Sequence, residues 1–212
     1  MKNFSLTITV ISICLLAASL NTTAQIFIGP RLGTSFSSTT GGTQYKESIQ
    51  LGAYAGVASN FWLNYKWQLQ VEALYNQKGY NHVICSGGSY DRLSSTYVEM
   101  PVLMRYRAWP ISTNFIMNLG FGGYFSYLID AQYKTDLGEG EILQVLDPAS
   151  LNRLSDMGLS FDIGLERQLG NGKLQIETRI QPGLGKLDFI PGEGTHRNFG
   201  VMFSLNYMFA LR

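Results

Sequence analysis

The sequence predicts an all-β protein: an eight-stranded antiparallel up-and-down transmembrane β-barrel with short turns at one end and long loops at the other. Three observations predict it. Apolar and polar residues alternate with period two in eight stretches of about ten residues, the length a tilted strand needs to cross a bilayer. The connections between these stretches alternate long and short. After the N-terminal segment no run reaches the roughly 18 apolar residues of a spanning helix, so only a closed sheet is left to satisfy the backbone in lipid.

The N-terminal segment is a targeting signal by its pattern. Lys2 is the only charge before Arg31, an apolar run covers Leu6 to Leu20, and small residues precede a cleavage point after Ala24. The expected organisation is therefore a signal peptide over residues 1–24 and a barrel domain over residues 25–212. Cys14 lies inside the apolar run rather than at the cleavage point, which argues against lipidation. Cys85 is then the only cysteine left, so no internal disulfide is expected. Losing Lys2 takes the 16 basic residues to 15, equal to the 15 acidic ones. That balance offers no basic face for nucleic acid.

The strands follow in order. The first sets Ile26, Ile28, Leu32 and Phe36 against Gly29, Arg31, Gly33 and Ser35. The second sets Leu51, Ala53, Ala55, Val57 and Phe61 against Gly52, Tyr54, Gly56 and Asn60. The third opposes Trp67, Leu69, Val71, Ala73 and Tyr75 to Gln68, Gln70, Glu72 and Asn76. In the fourth, Val98, Met100, Val102, Met104 and Tyr106 oppose Tyr97, Glu99, Leu103, Arg105 and Arg107. In the fifth, Phe115, Met117, Leu119, Phe121 and Phe125 oppose Asn114, Asn118, Gly120, Gly122 and Ser126. Met157 to Leu165 alternate with Gly158 to Glu166 in the sixth, and Leu174 to Ile180 with Lys173 to Gln181 in the seventh. The eighth opposes Phe199, Val201, Phe203, Leu205, Tyr207 and Phe209 to Asn198, Gly200, Ser204 and Asn206. The connections at 37–50, 77–96, 128–155 and 185–197 read as long external loops; those at 62–66, 108–113 and 167–172 read as periplasmic turns.

A soluble barrel with an apolar interior would alternate in the same way with its faces reversed. The glycines decide against it. Gly29, Gly33, Gly52, Gly56, Gly120, Gly122, Gly158, Gly164 and Gly200 share the polar face, and a crowded interior needs small residues where a solvated surface does not. The aromatics agree. Phe61, Trp67, Tyr106, Phe115, Tyr207 and Phe209 gather at the turn end of the apolar face, and Phe36, Tyr75, Tyr127 and Phe199 at its loop end, as two interfacial girdles. Pro30, Pro101 and Pro182 each remove a ladder donor, and a bulge or kink is expected at each.

The strongest chemical feature is charge on the inward face. Glu72, Glu99, Asp162, Glu166 and Glu177 face Arg31, Arg105, Arg107, Lys173 and Arg179. Unpaired charges in a narrow lumen are costly, so the even balance predicts an internal ion-pair network that plugs the barrel; a gate or narrow pore is the alternative.

Several segments are similar to a known family. Tyr97-Val98-Glu99-Met100-Pro101-Val102-Leu103 resembles the "YxExPxL" strand of PorT-like outer-membrane β-barrel proteins. Gly29-Pro30-Arg31-Leu32-Gly33 resembles the opening strand of that family, and Glu72-Ala73-Leu74-Tyr75-Asn76-Gln77-Lys78-Gly79 its "E-x-L-Y-x-x-K-G" strand and turn. Asp156-Met157-Gly158 opens the sixth strand in the same manner. Arg179-Ile180-Gln181-Pro182-Gly183-Leu184 is similar to its "RYxxGL" segment, with Ile180 where an aromatic is usual. The resemblance implies residence in the outer membrane of a Gram-negative bacterium, with lipid and the barrel-assembly machinery as partners. One branch of the family is associated with protein secretion. The chain end, Tyr207 to Arg212, departs from the usual terminal aromatic.

For function, the residues favour contact over catalysis. Tyr80, Tyr90, Arg92, Tyr133 and Arg153 fall in the two longest loops and are of types enriched at interfaces, suited to a surface or secretion protein or a glycan. The rival classes are a lipid-modifying enzyme and a small ligand-binding barrel. An enzyme needs an acid–base group, and only His82 and His196 are offered. No phosphate loop, zinc spacing or haem motif is present, and no cofactor is expected. The acidic stretch Asp136-Leu137-Gly138-Glu139-Gly140-Glu141 lacks calcium-loop spacing. Asp147-Pro148-Ala149-Ser150-Leu151 reads as the start of a short loop helix.

Overall fold

A computed structural model describes residues 25–40, 47–83, 90–136, 141–146, 154–185 and 197–211. The expected signal peptide, Cys85, Arg153, His196 and the expected loop helix at 147–151 lie outside these residues. The described chain forms β1 (Ile26–Thr40), β2 (Glu47–Trp62), β3 (Trp67–Val83), β4 (Tyr90–Pro110), β5 (Ile116–Asp136), β6 (Glu141–Leu146), β7 (Ser155–Leu169), β8 (Gly172–Pro182) and β9 (Arg197–Leu211).

Eight of these close a barrel. Each pairs antiparallel with the next, β5 passes over β6 to pair with β7, and β9 returns to pair with β1. Closure removes every free edge within the membrane, as a sheet in lipid requires. The expected faces are the observed ones. Leu32, Val57, Val102, Phe121, Ile163 and Phe203 are exposed on the outside, while Arg31, Gln70, Glu99, Asn118, Gln175 and Asn206 are buried inside. The turn-end girdle is tied together by rings: Trp67 and Tyr106 stand 4.9 Å apart, Tyr207 and Phe209 4.8 Å.

The short turns have local causes. The Asn64 side chain accepts from the backbone N–H groups of Lys66 and Trp67, both at 2.9 Å, and so closes the β2–β3 turn. Between β7 and β8 only Gly170 has positive φ (59°), the mark of a type II′ hairpin, which wants glycine at its first central position.

Two expectations are corrected. In the expected loops at 37–50, 77–96 and 128–155 nearly all the described residues are strand, while 186–196 of the fourth lie outside the described residues. β4 and β5 each run 21 residues and stay paired to one another out to Tyr90 and Asp136. The six-residue β6 then pairs with the far part of β5 over Ala131–Asp136. Tyr80, Tyr90, Arg92 and Tyr133 therefore sit on paired strands beyond the spanning region. The sequence pattern misses this because strands outside lipid need no uniform apolar face. The prolines also make no bulges. Register runs unchanged through Pro30 and Pro101, and the irregularities fall at 49/54 of β2–β3 and at 96/97 and 107/109 of β4–β5. Each of those two prolines interrupts the ladder on one side only. The gap lies toward β9 for Pro30 and toward β3 for Pro101, and the ladder continues on the other side. An antiparallel residue bonds to one neighbour, so a missing N–H costs one bond and no register.

Candidate functional site

Every inward charge predicted from alternation sits in the lumen, and the charges sort into three layers along its axis. The central layer holds Arg31 (β1), Glu72 (β3), Arg105 (β4), Asp162 (β7), Glu177 and Arg179 (β8), three cations and three carboxylates, all buried. Glu177 receives Arg31 and Arg105, each at 2.5 Å. Arg179 donates to both oxygens of Glu72, at 2.8 and 2.7 Å, and reaches Asp162 at 3.3 Å. Arg31 also approaches Glu72 at 3.3 Å, and Arg105 approaches Asp162 at 3.6 Å. Planar guanidinium forks suit this role, because each can bridge two carboxylates. Gln70 binds Glu72 and accepts from Arg105 at 2.7 Å, extending the layer.

The inward glycines make room for these charges. A Cβ on Gly120 would stand 2.3 Å from Asp162 Oδ1, and one on Gly164 would stand 2.8 Å from Glu177 Cγ and 3.0 Å from an Arg105 nitrogen. Glycine-rich and charge-rich positions on one face are thus a single packing solution, since five long side chains cross a lumen only where the facing wall is bare.

At the loop end Glu99 meets Lys78 at 2.5 Å and accepts from Gln181 at 2.7 Å. It does not join the predicted partners. Lys78 Nζ lies 4.5 Å from the centre of the Tyr124 ring and 5.8 Å from that of Tyr97. Asp156 accepts from Tyr124 at 3.2 Å and from Asn198 at 2.9 Å. Lys78 and Asp156 were missed as lumen residues because both fall at strand–loop boundaries in the sequence. Their signal is phase: Lys78 continues the inward series Glu72, Leu74, Asn76, and Asp156 precedes Gly158, Ser160, Asp162.

At the turn end Lys173 meets Glu166 at 3.2 Å, and Arg107 approaches Glu166 at 3.7 Å. Arg107 stacks 4.5 Å above the Trp62 ring, and Lys173 lies 4.5 Å from the Phe27 ring. Phe27, Ala58 and Met208 form a small apolar floor there, with Trp62 against it. The layers therefore carry one cation to two carboxylates, three to three, and two to one, counted among the described buried charges and Arg107. No group of three or more metal-binding side chains occurs among the described residues.

A family model for the outer membrane protein beta-barrel domain matches residues 18–188, most of the chain. The chain belongs to this family. The barrel accordingly resides in the outer membrane of a Gram-negative bacterium, in contact with its lipid. By the rule for such barrels, its turn end faces the periplasm and its loop end the outside. Among solved structures it is similar to the outer membrane protein OprG from Pseudomonas aeruginosa, with TM-score 0.54 and 11% identity over 89% of this chain and 97% of that one. Weaker likenesses are to Ail of Yersinia pestis (TM-score 0.44, 11% identity, 89% and 100% covered) and to outer membrane protein W of E. coli (TM-score 0.43, 13% identity, 90% and 100% covered). At these identities the likeness is one of fold. No curated protein sequence matches the chain.

Proposed function

We propose that this barrel is a non-catalytic protein whose lumen is sealed by its charges and whose work is done at the loop end, as a contact surface for a protein partner. In this reading residues 1–24 are removed on export. The supporting observation is the uneven height of the wall. β4 and β5 run 21 residues, whereas β8 runs 11 and ends at Pro182. The excess forms a paired-strand platform of β3, β4, β5 and β6 above the membrane, bearing Tyr80, Tyr90, Arg92 and Tyr133. Tyrosine and arginine are enriched at interfaces, and the paired strands fix the backbone on which these four positions fall. The resemblance of Tyr97–Leu103 to the PorT-like strand supports secretion or surface-protein assembly as the partner class.

The test is rescue of a deletion strain. Shortening the β3–β4 and β5–β6 hairpins should abolish rescue while the barrel still assembles and shows heat-shifted gel migration. Replacing His82 and His196 together should leave rescue intact. Loss of rescue by the histidine change alone, with the shortened hairpins still active, would establish the enzyme reading instead.

A further inference from the structure

We propose that the turn end of the lumen is a binding site for a phosphate group, carried either by a lipid headgroup of the periplasmic leaflet or by the free ion. The central layer closes its own charge; this layer does not. Arg107 and Lys173 converge on a single carboxylate, Glu166, at 3.7 and 3.2 Å. Among the described residues of this layer, three buried N–H-bearing atoms have no acceptor, Arg107 Nε, Trp62 Nε1 and Gln68 Nε2, against two oxygens with no donor, Asn60 Oδ1 and Gln175 Oε1, so donors are in excess as cations are. Gln68 is held with its amide nitrogen as the free side, because its oxygen already accepts from Lys173 at 3.2 Å and from Asn60 at 3.4 Å. The Trp62 ring faces both cations, at 4.5 Å from Arg107 and 5.4 Å from Lys173. An aromatic face steadies a cation but supplies no hydrogen-bond acceptor in its plane. What the layer lacks is therefore a negative charge with several acceptor oxygens.

Phosphate has that chemistry. Its tetrahedral oxygens can meet donors from several directions, with a guanidinium fork on one side and an ammonium on the other. The route in is Arg107, whose side chain is 23% exposed while that of Lys173 is sealed behind it at 1%. Glu166 is the internal competitor for both cations, and it predicts the sign of the test.

Trp62 can report occupancy. The chain has three tryptophans, and Trp67→Phe with Trp109→Phe leaves Trp62 as the only tryptophan, excited selectively over tyrosine at the red edge of its absorption. That protein, folded in maltoside micelles, is titrated with inorganic phosphate against chloride at matched ionic strength. A parallel arm uses galactolipid vesicles with and without phosphatidylglycerol. A saturable change in Trp62 emission is expected in at least one arm. Response to the free ion in micelles assigns free phosphate; response confined to phosphatidylglycerol vesicles assigns the headgroup. Lys173→Met and Arg107→Gln should each weaken binding about tenfold, the scale of one charge-assisted hydrogen bond. Glu166→Gln should tighten it, an outcome that general damage to the fold does not produce. Absence of a saturable response in both arms overturns the proposal. So does a response unchanged by the two cation replacements, or one weakened by Glu166→Gln.

Discussion

The centre of the lumen and its two ends are built from the same residue types to different rules. In the centre, three arginines and three carboxylates from five strands neutralise one another, and each carboxylate touches at least two cations or amide donors. At the ends the counts are uneven, with a carboxylate in excess at the loop end and a cation in excess at the turn end, and aromatic rings stand beside the lysine of each: Tyr97 and Tyr124 around Lys78, Phe27 and Trp62 around Lys173. The difference teaches that buried charge here has two uses. Where cations and carboxylates are equal in number, ions from separate strands cross-tie the wall. At the turn end, where a cation is in excess, aromatic faces steady it at lower cost than bare burial and short of neutralisation.

The largest effect should come from breaking the centre. Glu177→Leu leaves Arg31 and Arg105 without their shortest contacts, each 2.5 Å. Stranding a buried charge costs about 3–5 kcal/mol, measurable as a fall in unfolding free energy in lipid vesicles. Arg105→Ala, which strips Asp162 and Glu177 of the same partner, should fall in that range.

A pair of glycines sharpens the comparison with the loop end. The Cβ added by Gly120→Ala lands on an Asp162 carboxylate that cannot swing aside without leaving Arg179 and Arg105. Overpacking of this kind costs about 1–3 kcal/mol. Gly200 faces the same lumen, but its added Cβ would meet only a backbone oxygen at 3.9 Å, so Gly200→Ala should leave stability within about 0.5 kcal/mol of wild type. Equal costs at both glycines would remove the distinction between a packed centre and a looser end.

The smallest loss among the charge variants is expected for Lys78→Met. Glu99 would keep its Gln181 and Asn76 donors, at 2.7 and 3.3 Å, so the change should cost about 1–3 kcal/mol, below Glu177→Leu in the same assay.

The spanning part of the fold was legible in the sequence because lipid enforces it. Each outward position from Leu51 to Phe61 or from Met157 to Leu165 must be apolar or small, and the opposite face must carry what the lumen needs. Beyond the bilayer that demand lapses. The stretch Gln77–Thr96 therefore lacks the alternation and reads as loop, although its described residues are paired strand. Within the site, the sign and facing of ten charges followed from phase alone. Which charge meets which did not, because pairing depends on strand stagger around a closed wall. Glu99 illustrates it: it is in phase with Arg105 and Arg107, yet its register places it opposite Leu74 and within reach of Lys78.

Whether the central layer closes the lumen is measured directly by conductance. The wild-type barrel reconstituted in planar bilayers should show no steady channel, because Arg31, Arg105 and Arg179 are paired with their carboxylates and all are buried inside the barrel. Large, stable, porin-sized openings in the wild-type protein would contradict a sealed lumen and make the charge layers the lining of a pore.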